Sequence, residues 1–369
     1  MGVSMNEQIA RKVYEERWQK IQNHLEEKDK DIFITTNPGN VRYLSCAHIP
    51  SFPLLNHVLV DRDGHMYGIT SSLEQFRAME EAEVDELKIF SPYPGIRSDG
   101  KTGLAVLKEL IREQKWKNAL SDTKVPTRLV RQETSGFIED MRIVKSPDEI
   151  AYIKTACKIT DLAAAELREM AVPGVTERHV ARKLNSLLRE DERVQTNSFE
   201  TIVAGGPKSA FSHHDVTGRK LKKGDMVIID FGVYVNGYCS DCTRTISVGE
   251  ASREMKEVYD LVLEGQQNGI ALAKKGEAYG VIDKSIRDLF AEKDLHKHFV
   301  HSTGHGIGLE VHEAPNGIRF DMKKKMENGH VFTVEPGIYI PGKGGVRIED
   351  DILIENGLPV VLTKAERCL

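Results

Sequence analysis

The 369-residue sequence lacks long apolar runs and blocks of basic residues. No apolar stretch approaches the roughly 20 residues that a membrane span requires, and the charged first residues contain no apolar segment of the secretion-signal type. The 51 basic and 56 acidic residues are spread along the chain, with a net charge of -5. This distribution offers no patch for nucleic acid or an anionic membrane surface. We therefore predict a cytoplasmic protein that acts on small substrates.

Cysteine is also scarce. The five residues are Cys46, Cys157, Cys239, Cys242 and Cys368. An odd, scattered set is no disulfide framework and is typical of a reducing compartment. Cys239 and Cys242 form a C-x-x-C pair, which could bind zinc or carry thiol redox chemistry. No second pair follows at zinc-finger spacing, and Asp241 lies inside the pair, so we favour free thiols.

The first part of the chain, residues 1–141, alternates helical and strand patterns in the manner of an α/β layer. We predict helices over 6–27, 73–81 and 104–113, and strands over 32–36, 57–60, 66–69 and 87–90. Asp63 and Gly64 indicate a hairpin turn between two of these strands. Since this part holds no dense cluster of metal-binding or nucleophilic residues, we assign it no chemistry.

A second domain is predicted over 142–369. Ser146, Pro147 and Glu149 combine an N-cap serine, a proline at the first helical position and a glutamate three residues after the cap. Pro173-Gly174 ends this helical region, and a second helix opens at Thr176. Strands are predicted over 201–204, 226–235 and 243–248, helices over 254–274 and 281–291, and a final strand series up to residue 362.

Two aspartates stand at the ends of a predicted hairpin in this domain. Asp230 ends an apolar strand, and Asp241 follows an Asn236-Gly237 turn. A hairpin of this length can direct both carboxylates into one cleft, where they would suit two hard divalent cations. The alternative, one aspartate capping a turn and the other solvated, stays open for this pair alone.

Histidines and further acids follow. His301, His305 and His312 lie close together in a glycine-rich stretch, Glu335 follows a strand, and Glu349 alternates with apolar neighbours. A lone histidine is usually a structural residue, but clustering favours ligand binding. Acids among apolar strand residues are costly unless they are paired with cations. Four such carboxylates would offset the charge of two divalent cations, and one imidazole would complete the ligand set. A water bridging these cations would be acidified to hydroxide.

These residues carry a family resemblance. The segments are VIIDFGVYVNGYCSDCTRT, HSTGHGIGLEVHEAP, TVEPGIY and GGVRIEDD. They resemble the signature of the pita-bread metallopeptidases, specifically the Xaa-Pro branch of prolidase and Xaa-Pro aminopeptidase, over residues from about 145 to 362. NPGNVRYLSC is similar to part of the creatinase-type N-terminal domain. The resemblance implies an α+β / α/β chain, with a C-terminal pita-bread (creatinase/aminopeptidase) fold over 142–369 and a smaller α/β creatinase-like domain over 1–141.

The resemblance also implies roles. Asp230 would bind one metal, Asp241 and Glu349 would bridge both, and His305 and Glu335 would complete the coordination, with Glu335 also taking the proton of the attacking water. The other implied active-site positions are His213, His301, His312, Tyr339 and Arg347. His312 would stabilise the tetrahedral intermediate, Arg347 would orient the substrate and Tyr339 would line the pocket. His214 is adjacent to His213 and could take its place.

The implied activity is hydrolysis of the peptide bond before proline in dipeptides or short peptides, by a homodimer with two divalent ions per subunit. Manganese is favoured, and cobalt, zinc and iron stay open. We favour a dipeptidase over an Xaa-Pro aminopeptidase because the compact chain has no extra domain. Three alternatives are weaker. The long N-terminal part disfavours a methionine-aminopeptidase-like enzyme, a non-peptide hydrolase is open, and a non-catalytic binding paralogue would usually have lost ligands.

Overall fold

A computed structural model of the protein describes residues 11–45, 54–367 and 369. The predicted helix residues 6–10, as well as Cys46 and Cys368, lie outside the described residues. The chain divides into two compact units, Met1–Arg142 and Ile143–Leu369. No described helix is both long enough and apolar enough to cross a membrane.

The first unit is built on one six-stranded sheet. Its helices are α1 (Arg11–Glu27), α2 (Pro38–Ser45), α3 (Gln75–Glu81), α4 (Gly103–Gln114) and α5 (Phe137–Ile143). Its strands are β1 (Ile32–Thr35), β2 (His57–Asp61), β3 (Met66–Ser71), β4 (Glu86–Phe90), β5 (Asn118–Ser121) and β6 (Arg131–Thr134). The strand order is β4-β3-β2-β1-β5-β6, with antiparallel β1, β2 and β3 and parallel pairs elsewhere.

The predicted α/β layer of this unit is confirmed, because apolar residues of α4 pack on the central strands. Leu107 and Ile111 share a core with Ile34 and Ile69. Four elements were not predicted: α2, β5, β6 and α5. The edge strand β6 reads Arg-Gln-Glu-Thr and is largely exposed, so it carries no apolar pattern that a sequence analysis could detect.

The second unit packs helices against four small sheets. Its helices are α6 (Pro147–Ala164), α7 (Leu167–Met170), α8 (Glu177–Leu188), α9 (Arg253–Leu272) and α10 (Gly280–Glu292). Its strands are β7 (Val194–Asn197), β8 (Ile202–Gly205), β9 (Met226–Phe231), β10 (Val233–Val235), β11 (Tyr238–Cys239), β12 (Cys242–Ser247), β13 (Val331–Val334), β14 (Gly337–Ile340), β15 (Gly344–Arg347), β16 (Asp350–Glu355) and β17 (Leu358–Val361). One core lies between α6, α8 and the β8-β9-β12 sheet, and another between α9, α10 and the later strands.

Local sequence signals explain where these elements begin. The Ser146 side chain accepts from the Glu149 backbone N–H, and the Glu149 carboxylate accepts from the Ser146 N–H, so the predicted capping box opens α6. The Thr176 side chain caps α8 as predicted. The predicted strand over 226–235 is wrong as a single element. It is interrupted at Gly232, where an added Cβ would lie 2.0 Å from the Ser240 carbonyl oxygen.

The strands of this unit bring the predicted ligands together. Strands β9 and β12 pair antiparallel with Asp230 opposite Thr243, and Asn236 and Gly237 form the tight turn between β10 and β11 with φ angles of 48° and 80°. This turn returns Asp241 to the end of β9 that carries Asp230. The hairpin predicted from the sequence is confirmed.

Candidate metal centre

The second unit contains a cavity of about 850 Å³ lined mainly by polar side chains. All the predicted metal ligands line it: Asp230, Asp241, His305, Glu335 and Glu349. They come from separate segments. Asp230 lies on β9, Asp241 immediately precedes β12, Glu335 immediately follows β13, and Glu349 lies between β15 and β16. The fold therefore collects residues that are far apart in sequence.

Three of these side chains converge most closely. Asp241, His305 and Glu349 are buried, and each offers one ligand atom within 4.8 Å of the others. The Nε2 atom of His305 also lies 3.4 Å from Oε1 of Glu335 and 3.8 Å from Oδ2 of Asp241. Carboxylate oxygens together with one imidazole nitrogen form a donor set suited to divalent transition metals.

The orientation of His305 is fixed from behind. Its Nδ1–H donates to the carbonyl oxygen of Gly306 across 3.1 Å, which leaves the lone pair of Nε2 directed at the acids. Burial lowers the pKa of His305 to about 3, so the imidazole is neutral, the form that binds a metal. The Thr333 hydroxyl accepts a hydrogen bond from the backbone N–H of His305 and donates one to Oε1 of Glu335 across 3.4 Å. One threonine thus positions two candidate ligands.

The protein alone leaves much of the negative charge of the cavity's carboxylates without hydrogen bonds or cations. Asp230 Oδ1 and Asp241 Oδ1 are buried and make no hydrogen bond. Burial, followed by the charges of neighbouring carboxylates, raises the pKa of Asp241 and Glu349 well above the ordinary range. Burial also raises the pKa of Glu335 to about 8. Unpaired carboxylate oxygens held in a buried cluster fit a site for divalent cations, which would stabilise the charged forms.

Arg347 braces one side of the centre. Its buried guanidinium donates to Asp230 Oδ2 at 2.6 Å, to Thr243 Oγ1 at 3.0 Å and to the Tyr339 hydroxyl at 2.9 Å. The Tyr339 hydroxyl in turn donates to Nε2 of His301 across 2.9 Å. Arg347 and His301 line the cavity, whereas Tyr339 is 4% exposed and is not among the described lining residues. The structure thus places Tyr339 behind the wall and not on it.

The other histidines that line the cavity differ in exposure and in hydrogen bonding. His213 and His312 are exposed and line the cavity, and the ring centroid of His312 lies 4.0 Å from that of His305. His214 also lines it, but its Nε2 lies 3.1 Å from Oε2 of the fully buried Glu177. Of the two adjacent histidines, His213 is therefore the one with its ring available to a substrate.

The sequence analysis did not identify several residues that support the ligands. Thr243 donates to Oε2 of Glu349 across 2.6 Å, and Asp351 accepts the backbone N–H of Asp241. Asp351 follows Glu349 by two positions, so strand alternation could have indicated that both face the same way. Thr243 and Thr333 carry no such signal, because threonine is ordinary in strands.

The cysteine alternative is not supported. Within the described part of the chain, no cysteine belongs to a cluster that could hold a metal. Cys157, Cys239 and Cys242 are buried thiols outside any disulfide, which confirms the thiol interpretation for these three. Burial raises the pKa of Cys157 and Cys242 well above the ordinary range, so both are neutral.

Comparison with known proteins relates the chain to peptidases. A model of metallopeptidase family M24 matches residues 151–356. The chain is 34% identical over 359 residues to the Xaa-Pro dipeptidase of Pyrococcus furiosus, with 95% of this chain and 99% of the relative covered. The prolidase structure from Pyrococcus horikoshii matches with a TM-score of 0.85 at 33% identity, covering 95% of this chain and 99% of that chain. The X-Pro aminopeptidase structure from Thermotoga maritima matches with a TM-score of 0.84 at 30% identity, covering 96% and 99%. These similarities confirm the predicted pita-bread fold.

Proposed function

The chain belongs to metallopeptidase family M24, and we propose that it hydrolyses the peptide bond before proline in Xaa-Pro dipeptides. The observation that carries this proposal is the complete donor set in one cavity, with ligand atoms of Asp241, His305 and Glu349 within 4.8 Å. Relatives matched over nearly the whole chain are named Xaa-Pro dipeptidase or prolidase. A non-catalytic paralogue is disfavoured, because none of the five ligand positions is lost.

The metal-binding residues of the proposal are Asp230, Asp241, His305, Glu335 and Glu349. Asp241 and Glu349 are the bridging candidates. When bound, two divalent cations supply Lewis acidity that polarises the scissile carbonyl and acidifies water. Glu335 is the proton acceptor, since its side chain is the most exposed of the four candidate carboxylates, at 15% against 13% for Asp230, and lies next to His305 Nε2. It would then deliver this proton to the proline nitrogen as the bond breaks.

Other residues of the cavity would hold the substrate. His312 and His213 are exposed on its wall and can donate hydrogen bonds to the carbonyl oxygen and the carboxylate of a dipeptide. Nε2 of His301 accepts a hydrogen bond from the Tyr339 hydroxyl, so the orientation of the His301 ring depends on that tyrosine. Arg347 contributes positive charge beside Asp230, which orients this carboxylate and a bound substrate together.

A metal-reconstitution assay tests the proposal. Protein stripped with a chelator is reloaded separately with manganese, cobalt or zinc, and proline release from Ala-Pro is followed beside cleavage of Ala-Pro-Ala. Pro-Ala, with the same residues in reverse order, is the matched control. Metal-dependent cleavage of Ala-Pro alone supports the dipeptidase. Failure of all three metals on both substrates would overturn the proposal.

An Xaa-Pro aminopeptidase is the second candidate, because the Thermotoga maritima enzyme of that name matches the fold as well as the prolidases do. Cleavage of Ala-Pro-Ala in the same assay favours it. A methionine-aminopeptidase-like activity would instead cleave Met-Ala-Ser and spare Ala-Pro.

Four finer properties belong to the proposal. We propose manganese as the native metal, because four of the five donors are carboxylates. We propose a homodimer and a cytoplasmic location, the latter supported by the free buried thiols. Residues 1–141 are proposed as the creatinase-like N-terminal domain and residues 142–369 as the catalytic domain. Elemental analysis of protein purified without added metal and sedimentation equilibrium test the first two properties.

A further inference from the structure

A buried ion pair joins two distant segments of the second unit. Nζ of Lys145 lies 2.6 Å from Oε1 of Glu313, and the two side chains are 1% and 4% exposed. The residues are 168 positions apart in the chain. Neither is a candidate metal ligand, yet Glu313 directly follows His312, which lines the cavity.

The position of Lys145 is fixed by its surroundings. Its backbone N–H donates to the Gly329 carbonyl oxygen across 2.8 Å, and Val144 forms an antiparallel bridge with His330 just before β13. The next residue, Ser146, opens the capping box of α6. Lys145 is therefore held between the start of a long helix and the start of the strand that leads to Glu335.

Glu313 is held on a closed loop. Its backbone N–H donates to Gly306 O across 2.9 Å, and the Gly306 N–H donates to Pro315 O across 3.0 Å. The Glu313 carboxylate fills the interior of this loop, because a Cβ added at Gly308 would lie 2.4 Å from its Oε1. The loop from 306 to 315 therefore closes around Glu313 and presents His312 to the cavity.

A charge pair in this position has one low-energy arrangement. Separating the two charges inside the protein would forfeit their attraction after both have been removed from water, which is costly. The Glu313 side chain is thus restricted to one location, and the adjacent His312 is restricted with it. In this arrangement the ring centroid of His312 lies 4.0 Å from that of the ligand candidate His305.

We propose that the Lys145–Glu313 ion pair positions His312 over the cavity and so determines the turnover of the enzyme. The inference rests on the proposed function. Lys145 and Glu313 are positioning residues, since neither lines the cavity among the described residues. Because His312 would act on charge that develops during the reaction, loss of the pair should lower kcat more than it changes KM.

The test uses four variants of the full chain. Lys145→Met and Glu313→Gln each remove one charge, the double variant Lys145→Met/Glu313→Leu removes both charges, and Lys145→Arg keeps the charge. The matched control is Lys154→Met, which breaks the half-exposed ion pair of Lys154 with Glu355 on the same unit. kcat, KM and bound metal are measured for Ala-Pro, together with the melting temperature.

We expect kcat to fall on the order of tenfold to a hundredfold in the three charge-removing variants, with bound metal and KM near parental values. Lys145→Arg should recover much of the loss, and Lys154→Met should match the parent. A double variant that is folded, metal-loaded and as fast as the parent would overturn the inference. So would a loss of kcat that is accounted for entirely by lost metal.

A second readout separates this inference from the proposed function. The ring resonances of His312, assigned by their absence in a His312→Gln variant, should shift in Glu313→Gln and Lys145→Met and stay unchanged in Lys154→Met. If the parent cleaves no Xaa-Pro peptide, the proposed function fails, but these resonances still report whether the ion pair positions His312. If the His312 resonances are unshifted in both Glu313→Gln and Lys145→Met, the inference is wrong even for an active enzyme.

Discussion

The backbone N–H of Asp241 donates a hydrogen bond to Oδ2 of Asp351 across 2.9 Å. The thiol of Cys157 donates to the same oxygen across 3.3 Å. Asp351 is fully buried at the start of β16, two positions after Glu349. The two proposed bridging ligands are therefore connected through one carboxylate, which links the loop before β12 to the strand that follows Glu349.

Replacing Asp351 should therefore weaken metal binding without touching a ligand. We expect Asp351→Ala to lower metal affinity by roughly 10- to 100-fold, the usual effect of losing a residue that orients a ligand. Asp351→Asn keeps an acceptor oxygen for the Asp241 N–H and should lie closer to the parent. Competition with a chromophoric chelator measures the affinities. Equal affinities for the parent and Asp351→Ala would refute the role.

Removal of a proposed bridging ligand should have a larger effect. We expect Asp241→Ala to lose hydrolysis of Ala-Pro to background and to bind less metal than the parent, because the cations lose a shared carboxylate. Elemental analysis and proline release measure the two effects. Asp260→Ala, at an exposed position on α9, is the control and should behave as the parent. Full activity with normal metal content in Asp241→Ala would contradict the ligand assignment.

His305 and His312 have neighbouring rings but should respond differently to substitution. His305→Ala should lose metal, whereas His312→Ala should keep it and lose turnover on the order of a hundredfold or more, the usual result of removing one transition-state donor. Metal content and kcat distinguish the two outcomes. If His312→Ala also loses its metal, His312 belongs to the coordination sphere.

Local signals made much of the fold predictable. The capping box at Ser146, the Asn236-Gly237 turn and the apolar periodicity of α4 each depend on neighbouring residues, and each element formed where it was predicted. Short polar elements such as β6 could not be found this way, because their formation depends on a neighbouring strand and not on their own composition.

The candidate ligands could be predicted because charged and imidazole side chains are uncommon in their local sequence contexts. Carboxylates in apolar strands and histidines among glycines stand out in the sequence. The supporting contacts do not, because Lys145 and Glu313, or Thr243 and Glu349, are joined only by the tertiary fold. A lysine or threonine has many ordinary roles, so neither the residue type nor the spacing indicates its partner.

Buried acids of the cavity give the metal-free protein a specific dependence on pH. The pKa of Glu335 is raised from 4.5 to about 8 and that of Asp351 from 3.8 to about 7, in both cases chiefly because burial disfavours the charged form. The pKa values of Asp241 and Glu349 are raised as well. Between the ordinary values of these groups and their raised folded-state values, the folded protein binds more protons than the unfolded chain, so its stability falls as pH rises over that interval and levels off above it.

Buried histidines have the opposite effect, but in a lower range. Burial lowers the pKa of His301 to about 4 and that of His305 to about 3, so stability is lost as pH falls below their ordinary value of 6.5. As pH rises from 6.5 to 8, these two histidines stay neutral in the folded state, and the unfolded chain loses the remaining half of their charge within about the first pH unit. The buried carboxyl groups can therefore be observed with little interference from them.

In that range, between the ordinary histidine value of 6.5 and the Glu335 value of about 8, we expect chelator-stripped protein to lose stability as pH rises. Urea unfolding at both ends of the range measures the loss. Glu335→Gln removes one titrating group, so its stripped form should show a shallower decline. Manganese should suppress the decline in the parent, because bound cations stabilise the ionised carboxylates. A stripped parent with equal stability at both ends would show that these acids are already ionised in the metal-free fold.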